Sequence, residues 1–211
     1  MKSLRFLALA FAAGLLAACG GEGVVTPPAV IAPPSLASAA ATPTFLPSDP
    51  TAPAIANPVI SFWAKRGVDQ TVFMYYASRP GASDSSVFLR FRVRKRSLAF
   101  YPNGQPFANG DSVQITLTLS DAVNRIVDFQ PSGLIFNSGV PADLKISYLE
   151  ADDDYNQDGV VNGADTRLER TFRIWKLHAS NPWAPQTSIV SRSLDEVETK
   201  VYNFTSYAIA Y

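Results

Sequence analysis

The residues best equipped for chemistry fall in one short run: Asp154, Asn156, Asp158, Asn162 and Asp165, with Gly159 between the third and the fourth. A hard cation such as calcium needs six to eight oxygens around it, and alternate residues of a tightly curled loop all point inward. On that spacing Asp154, Asn156 and Asp158 supply side-chain oxygens, Val160 its backbone carbonyl, Asn162 a direct or water-mediated contact, and Asp165 the closing carboxylate. Gly159 permits the sharp turn at the midpoint. Val161 is expected to pin the loop to the core. The three loop carboxylates, with Asp152 and Asp153 just outside, would repel one another without a cation. Calcium is therefore the expected cofactor, and the plainer alternative is a solvated acidic hairpin tip. Extracellular calcium sites commonly have dissociation constants of about 10⁻⁴–10⁻³ M, which suits a structural role.

Other constellations are thinner. Arg90, Arg92, Arg94 and Arg96 alternate with Leu89, Phe91 and Val93, so the arginines share one strand face. Such a ribbon either meets anionic headgroups or an acidic polymer, or pairs with carboxylates on neighbouring strands; the second reading is preferred. Trp63, Trp175 and Trp183, with Tyr75, Tyr76 and Tyr202, are candidates for a sugar-stacking platform, Trp183 foremost because Pro182 and Pro185 flank it; the plainer alternative is that aromatic residues at strand positions belong to the core. His178 is the sole histidine and reads as a surface or turn residue. Asp195 with Glu196 or Glu198 would serve a glycosidase only at a fixed carboxylate separation. The reading is non-catalytic, with no catalytic residue assigned. The chain carries 18 basic and 18 acidic residues, so net charge gives no argument for nucleic acid.

The elements that must position these residues read as strands. Short β-branched or aromatic runs separated by Pro80-Gly81, Asn103-Gly104, Asn109-Gly110 and Ser132-Gly133 predict many antiparallel strands. They are expected at 59–63, 71–76, 87–94, 97–101, 113–119, 125–130, 134–136, 144–149, 171–177, 188–191, 200–204 and 207–211. One or two helical turns are expected over 166–170. That pattern is an all-β antiparallel sandwich with the oxygen-rich loop at 154–165 inserted between two of its strands.

Upstream the chain changes character. Lys2 and Arg5, an apolar run from Phe6 to Leu16 and small residues before position 19 have the layout of a secretory signal peptide over 1–18. From 19 to 57 alanine, proline, serine and threonine dominate, which predicts a disordered spacer, and the folded domain is expected over 58–211. Roughly 39 residues of extended chain reach on the order of 100 Å.

Three resemblances follow. Leu16-Ala17-Ala18-Cys19-Gly20 resembles the lipobox of bacterial lipoproteins. The likeness implies cleavage before Cys19, acylation of that cysteine, a membrane partner through the lipid, and a place in the cell envelope, at the outer membrane or cell surface. Multiple acyl chains give stable anchoring where one does not. The loop at 154–165 resembles an EF-hand calcium loop, and its Val161-Asn162 and closing Asp165 look more like a dockerin repeat than a calmodulin-type hand. There is one loop where a dockerin has two, and 144–149 reads as a strand, so cohesin binding is not carried over. Finally, Phe129-Gln130-Pro131-Ser132-Gly133-Leu134-Ile135-Phe136, the aromatic strand Phe172–Leu177 and the ending Asn203–Tyr211 resemble the zona-occludens and netrin-receptor type of β-sandwich, over roughly 85–211. That likeness implies an interaction module for a protein or polysaccharide ligand, and brings no catalytic residues. A carbohydrate-binding module is the alternative, an envelope hydrolase the remoter one.

Overall fold

The computed structural model describes residues 42–81, 85–178 and 182–211. The expected signal peptide, Cys19 and most of the expected spacer lie outside the described residues. The domain is an all-β sandwich of antiparallel sheets with one short helix among the described residues. Its elements are β1 (Val59–Lys65), β2 (Gln70–Tyr75), β3 (Val87–Val93), β4 (Leu98–Phe100), β5 (Ser112–Asp121), β6 (Ile126–Gln130) and β7 (Ile135–Phe136). There follow β8 (Ala142–Ser147), α1 (Gly163–Glu169), β9 (Arg173–Leu177), β10 (Trp183–Pro185), β11 (Ser188–Ser191), β12 (Glu196–Val201) and β13 (Ser206–Ala210).

One sheet runs β1-β5-β6-β13-β9-β10 and the other β11-β12-β8-β3-β2; β4 and β7 pair separately. Period-2 alternation decides which side chains meet between the sheets. Phe62 lies opposite Ile115, and Leu117 opposite Phe129, in the six-stranded sheet. In the five-stranded sheet Leu89 pairs with Ile146 and Phe91 with Leu144, and Val197 lies opposite Ile146 from the other side. The two inner faces join through an aromatic cluster: Phe91 meets Phe129 edge-on with ring centroids 5.2 Å apart, and both contact Phe204. Edge-to-face pairs add roughly 0.5–1.5 kcal/mol each beyond the area they bury.

Several expected boundaries move, and β10 was not expected; two of the shifts bear on candidate residues. The strand expected over 200–204 is instead β12, Glu196–Val201, because Val197, Thr199 and Val201 point inward while Glu196, Glu198 and Lys200 point out. Likewise β3 stops at Val93 and Arg96 lies in the turn that follows. The four arginines therefore do not share one strand.

The segment 42–57, expected to belong to the spacer, lies on the sandwich. Phe45 bridges to Ala210, Ser48 to Ala151 and Ile55 to Tyr76. Leu46 is 1 % exposed and its N–H donates to the carbonyl of Ile209 at 3.3 Å. Phe45 packs edge-on against Trp183 at 5.1 Å. Few apolar residues suffice here because the strap pairs with backbone groups of β13 beyond Tyr207, where β6 has stopped pairing, and with Tyr76 just past β2. No helix among the described residues is long and apolar enough to cross a membrane.

Candidate functional site

The oxygen-rich loop connects β8 to α1 and is shaped by its own carboxylates. Asp154 accepts from the backbone N–H of Asp158 through Oδ1 at 3.1 Å and of Gly159 through Oδ2 at 2.7 Å. Asp165 accepts from Asn156 N–H at 3.2 Å and from Asn162 N–H at 2.8 Å. Asn162 caps α1: its Oδ1 accepts from Ala164 N–H at 2.7 Å, and with Asp165 it completes a capping box. The Asn162 N–H holds the Asp165 carboxyl below the usual carboxylate range, aided by Asn156 and opposed by partial desolvation.

Two carboxylates thus tie the two halves of the loop, drawing Asp154, Asn156, Asp158 and Asp165 onto one turn. Gly159 takes φ +84°, as the midpoint turn requires, and Gln157 beside it also has a positive φ of 57°. Other oxygens have local partners. The Asn156 amide donates to Asp158 Oδ2 at 2.8 Å, and the Asn162 amide donates to the Val160 carbonyl at 2.8 Å. Among the described residues no three His, Cys, Asp or Glu side chains converge as a metal cluster. The loop's further donors, Asn156, Asn162 and the Val160 carbonyl, are of other types.

Val161 does not pin the loop to the core, for it is 64 % exposed. Tyr155 does that instead: it is buried, meets Phe172 edge-on at 4.9 Å, and its carbonyl accepts from the Tyr211 hydroxyl. An aromatic ring reaches the sandwich from the loop's second position, where a valine at the eighth faces solvent.

Beside the loop lies a cavity of about 350 Å³ lined by Tyr148, Asp153, Tyr155, Asp165, Glu169 and Asp195. Glu169 closes the last turn of α1 and accepts from the Tyr148 hydroxyl at 2.8 Å and from Arg192 Nε at 2.6 Å. The Asp195 carboxyl is raised by burial, then by the charges of Glu169 and Asp153. Glu169 did not stand out in the sequence; its signal was its place four residues after Asp165 on a helix face. Asp195 shares no cleft with Glu196 and Glu198, which both salt-bridge Lys145, at 3.2 and 3.3 Å, on the outer face of the five-stranded sheet.

That outer face is a charge lattice. Arg92 pairs with Asp69 at 2.7 Å, while Arg94 and Lys200 both reach Asp143 at 2.6 Å. Among the described residues Arg90 and Arg96 have no carboxylate within salt-bridge distance. The aromatic candidates are also sorted: Trp175 is buried with its indole N–H on the Ala210 carbonyl at 3.0 Å, Trp183 is half-buried under Phe45, and Trp63 is 61 % exposed. His178 is exposed at the end of β9.

No family model, curated protein or solved structure matches this chain.

Proposed function

We propose that this chain is a non-catalytic, lipid-anchored cell-envelope protein whose β-sandwich, stabilised by calcium in the loop at 154–165, acts as an interaction module for a protein or polysaccharide. The observation that carries the calcium reading is the pair of carboxylates, Asp154 and Asp165, that curl the loop through four backbone N–H groups. Each carboxylate oxygen keeps a second lone pair for a cation. Binding requires the Asn162 amide to release the Val160 carbonyl and the Asp158 carboxylate to exchange the Asn156 amide for the ion. The lipobox-like Leu16–Cys19 supports anchoring, and the sequence likeness to zona-occludens and netrin-receptor sandwiches supports the interaction role.

Thermal melting with calcium and with chelator tests the metal. Calcium at about a hundred times its dissociation constant adds roughly 2.7 kcal/mol, or about 5–10 °C for a domain of this size. The shift is expected in the wild type and absent when Asp154→Ala and Asp158→Ala are combined; no shift in the wild type sinks the calcium reading. Stable membrane association of a Cys19→Ala variant would sink the anchor.

A carbohydrate-binding reading has its own observation, the exposed indole of Trp63 on the outer face of β1. Glycan binding lost in Trp63→Ala and retained in Trp183→Ala would favour it.

A further inference from the structure

Arg125 sits in the turn between β5 and β6 with φ +54°, in the left-handed region, and is 4 % exposed. Its Nε donates to the Leu46 carbonyl at 3.4 Å. Among the described residues its two terminal nitrogens have no hydrogen-bond partner, and neither has the buried hydroxyl of Tyr76. The surrounding carboxylates are committed elsewhere. Asp49 accepts from the Thr51 N–H and hydroxyl at 2.6 Å, Asp121 from the Val123 and Asn124 N–H groups at 2.9 Å, and Glu150 from Arg79 at 2.6 Å. A guanidinium buried without a counter-anion is one of the costlier arrangements a fold can hold, and buried charges are paired as a rule. Burial pushes the Tyr76 phenol up, the adjacent Arg125 cation pulls it partly back, and Glu150 adds to the rise.

Both residues line a cavity of about 270 Å³ whose other walls include Pro50, Pro53, Ile55 and Leu119. We propose that Arg125 and Tyr76 receive the carboxylate of a small organic acid whose apolar body fills this cavity. The planar fork of a guanidinium matches a carboxylate with two parallel hydrogen bonds, and the phenol supplies a third donor. Apart from Ser48 and Asp49, whose carboxylate is held by Thr51, the remaining walls are proline and aliphatic side chains, which favour an apolar body over a hydrated inorganic ion. The volume lies just under the roughly 300–1,000 Å³ of sites for drug-sized ligands, which sets a small acid as the occupant.

Access runs under the strap. The terminal nitrogens are sealed from water in this conformation, so the ligand enters when the arch from Pro50 to Pro53 lifts or the guanidinium swings into the cavity. The arch is held at its ends. Ser48 N–H donates to Val123 at 3.0 Å and Asp49 N–H to Glu150 at 3.1 Å on one side, and Ala77 N–H donates to Ala54 at 2.7 Å on the other. Between these points Thr51 and Ala52 bond only to Asp49.

The experiment is a calorimetric titration of the full chain with hexanoate and benzoate, against hexanamide, benzamide and inorganic phosphate, in the wild type, Tyr76→Phe and Arg125→Gln. Expected are saturable binding of the carboxylates, at least roughly tenfold weaker binding of the amides and phosphate, and loss of carboxylate binding in Arg125→Gln. Tyr76→Phe removes one oxygen from an unbonded position, so it folds as the wild type and is expected to bind several-fold more weakly; it carries the test if Arg125→Gln does not fold. The proposal is overturned by no saturable binding of either carboxylate up to about 10 mM. Amides or phosphate binding as tightly as the carboxylates, or wild-type affinity in Tyr76→Phe, would overturn it equally.

Discussion

The Tyr211 hydroxyl donates to the carbonyl of Tyr155 at 2.5 Å, fastening the residue after β13 to the second position of the oxygen-rich loop. Phe172 stands between them, edge-on to Tyr155 and stacked on Tyr211 with centroids 6.1 Å apart. The loop is thereby part of the sandwich's cooperative unit. Tyr211→Phe keeps the ring contacts and removes one hydrogen bond, so a loss of about 1 kcal/mol is expected. In a thermal melt that is a fall of about 2–4 °C. The same substitution should weaken any calcium-induced shift, since the loop loses a fixed point; an unchanged melt would show that the loop is energetically separate from the sandwich.

Gly159 is the residue on which the loop turns. Its φ of +84° lies in the left-handed region, and an added Cβ would meet nothing within 4 Å. Gly159→Ala is therefore expected to cost about 1–2 kcal/mol through backbone strain alone. Gly139→Ala is the control, because Gly139 has no positive φ and its Cβ would make only an ordinary contact with Asn137. That variant should fall within about 0.5 kcal/mol of the wild type. Chemical denaturation of the two variants side by side measures the difference.

Acid should act on the loop in a defined direction. The folded state holds the Asp165 carboxyl below its ordinary value of 3.8, so the stabilisation it provides is present above that value and disappears as pH falls through it towards the lowered folded value. The difference in denaturation midpoint between the wild type and Asp165→Asn is expected to be largest near neutrality and to close below about pH 4. Asp195 works with the opposite sign, since its folded value is raised by burial and by Glu169 and Asp153. Its ionisation opposes folding as pH rises above the unfolded value. Asp195→Asn, which suits a backbone at φ +49°, should stabilise the domain at pH 7 and lose that advantage in acid.

The strap at 42–57 makes a prediction of its own. Leu46 is fully buried and its carbonyl accepts from Arg125, so Leu46→Ala is expected to cost about 2–5 kcal/mol. A chain that begins at residue 58 should be destabilised by at least as much, and urea unfolding of both compared with a chain beginning at 42 would measure it. Equal stability would mean that the strap rests on the sandwich without supporting it.

The sequence by itself determined the sandwich. Alternation in 59–65, 87–93 and 113–119 is a local property of the chain, and it survives folding because each strand buries one face and solvates the other. The clustering of Asp154, Asn156, Asp158 and Asp165 was legible for the same reason, as the spacing of a tight loop is written along the backbone. What only the tertiary structure decided are relationships between distant segments. Trp183 and Trp63 look alike in sequence, but Phe45 packs on the first, while among the described residues the second is left largely exposed. The role expected of Val161 belongs to Tyr155, because Phe172 and Tyr211 lie where Tyr155 reaches and Val161 does not. The strap carried too few apolar residues to read as folded, yet Leu46 finds a place prepared by residues far along the chain. Burial of Arg125 is likewise invisible in a hairpin turn of ordinary composition, since it depends on Leu46 and the arch above it. Periodicity records how a segment solvates itself, whereas burial is fixed by partners that only the folded chain brings together.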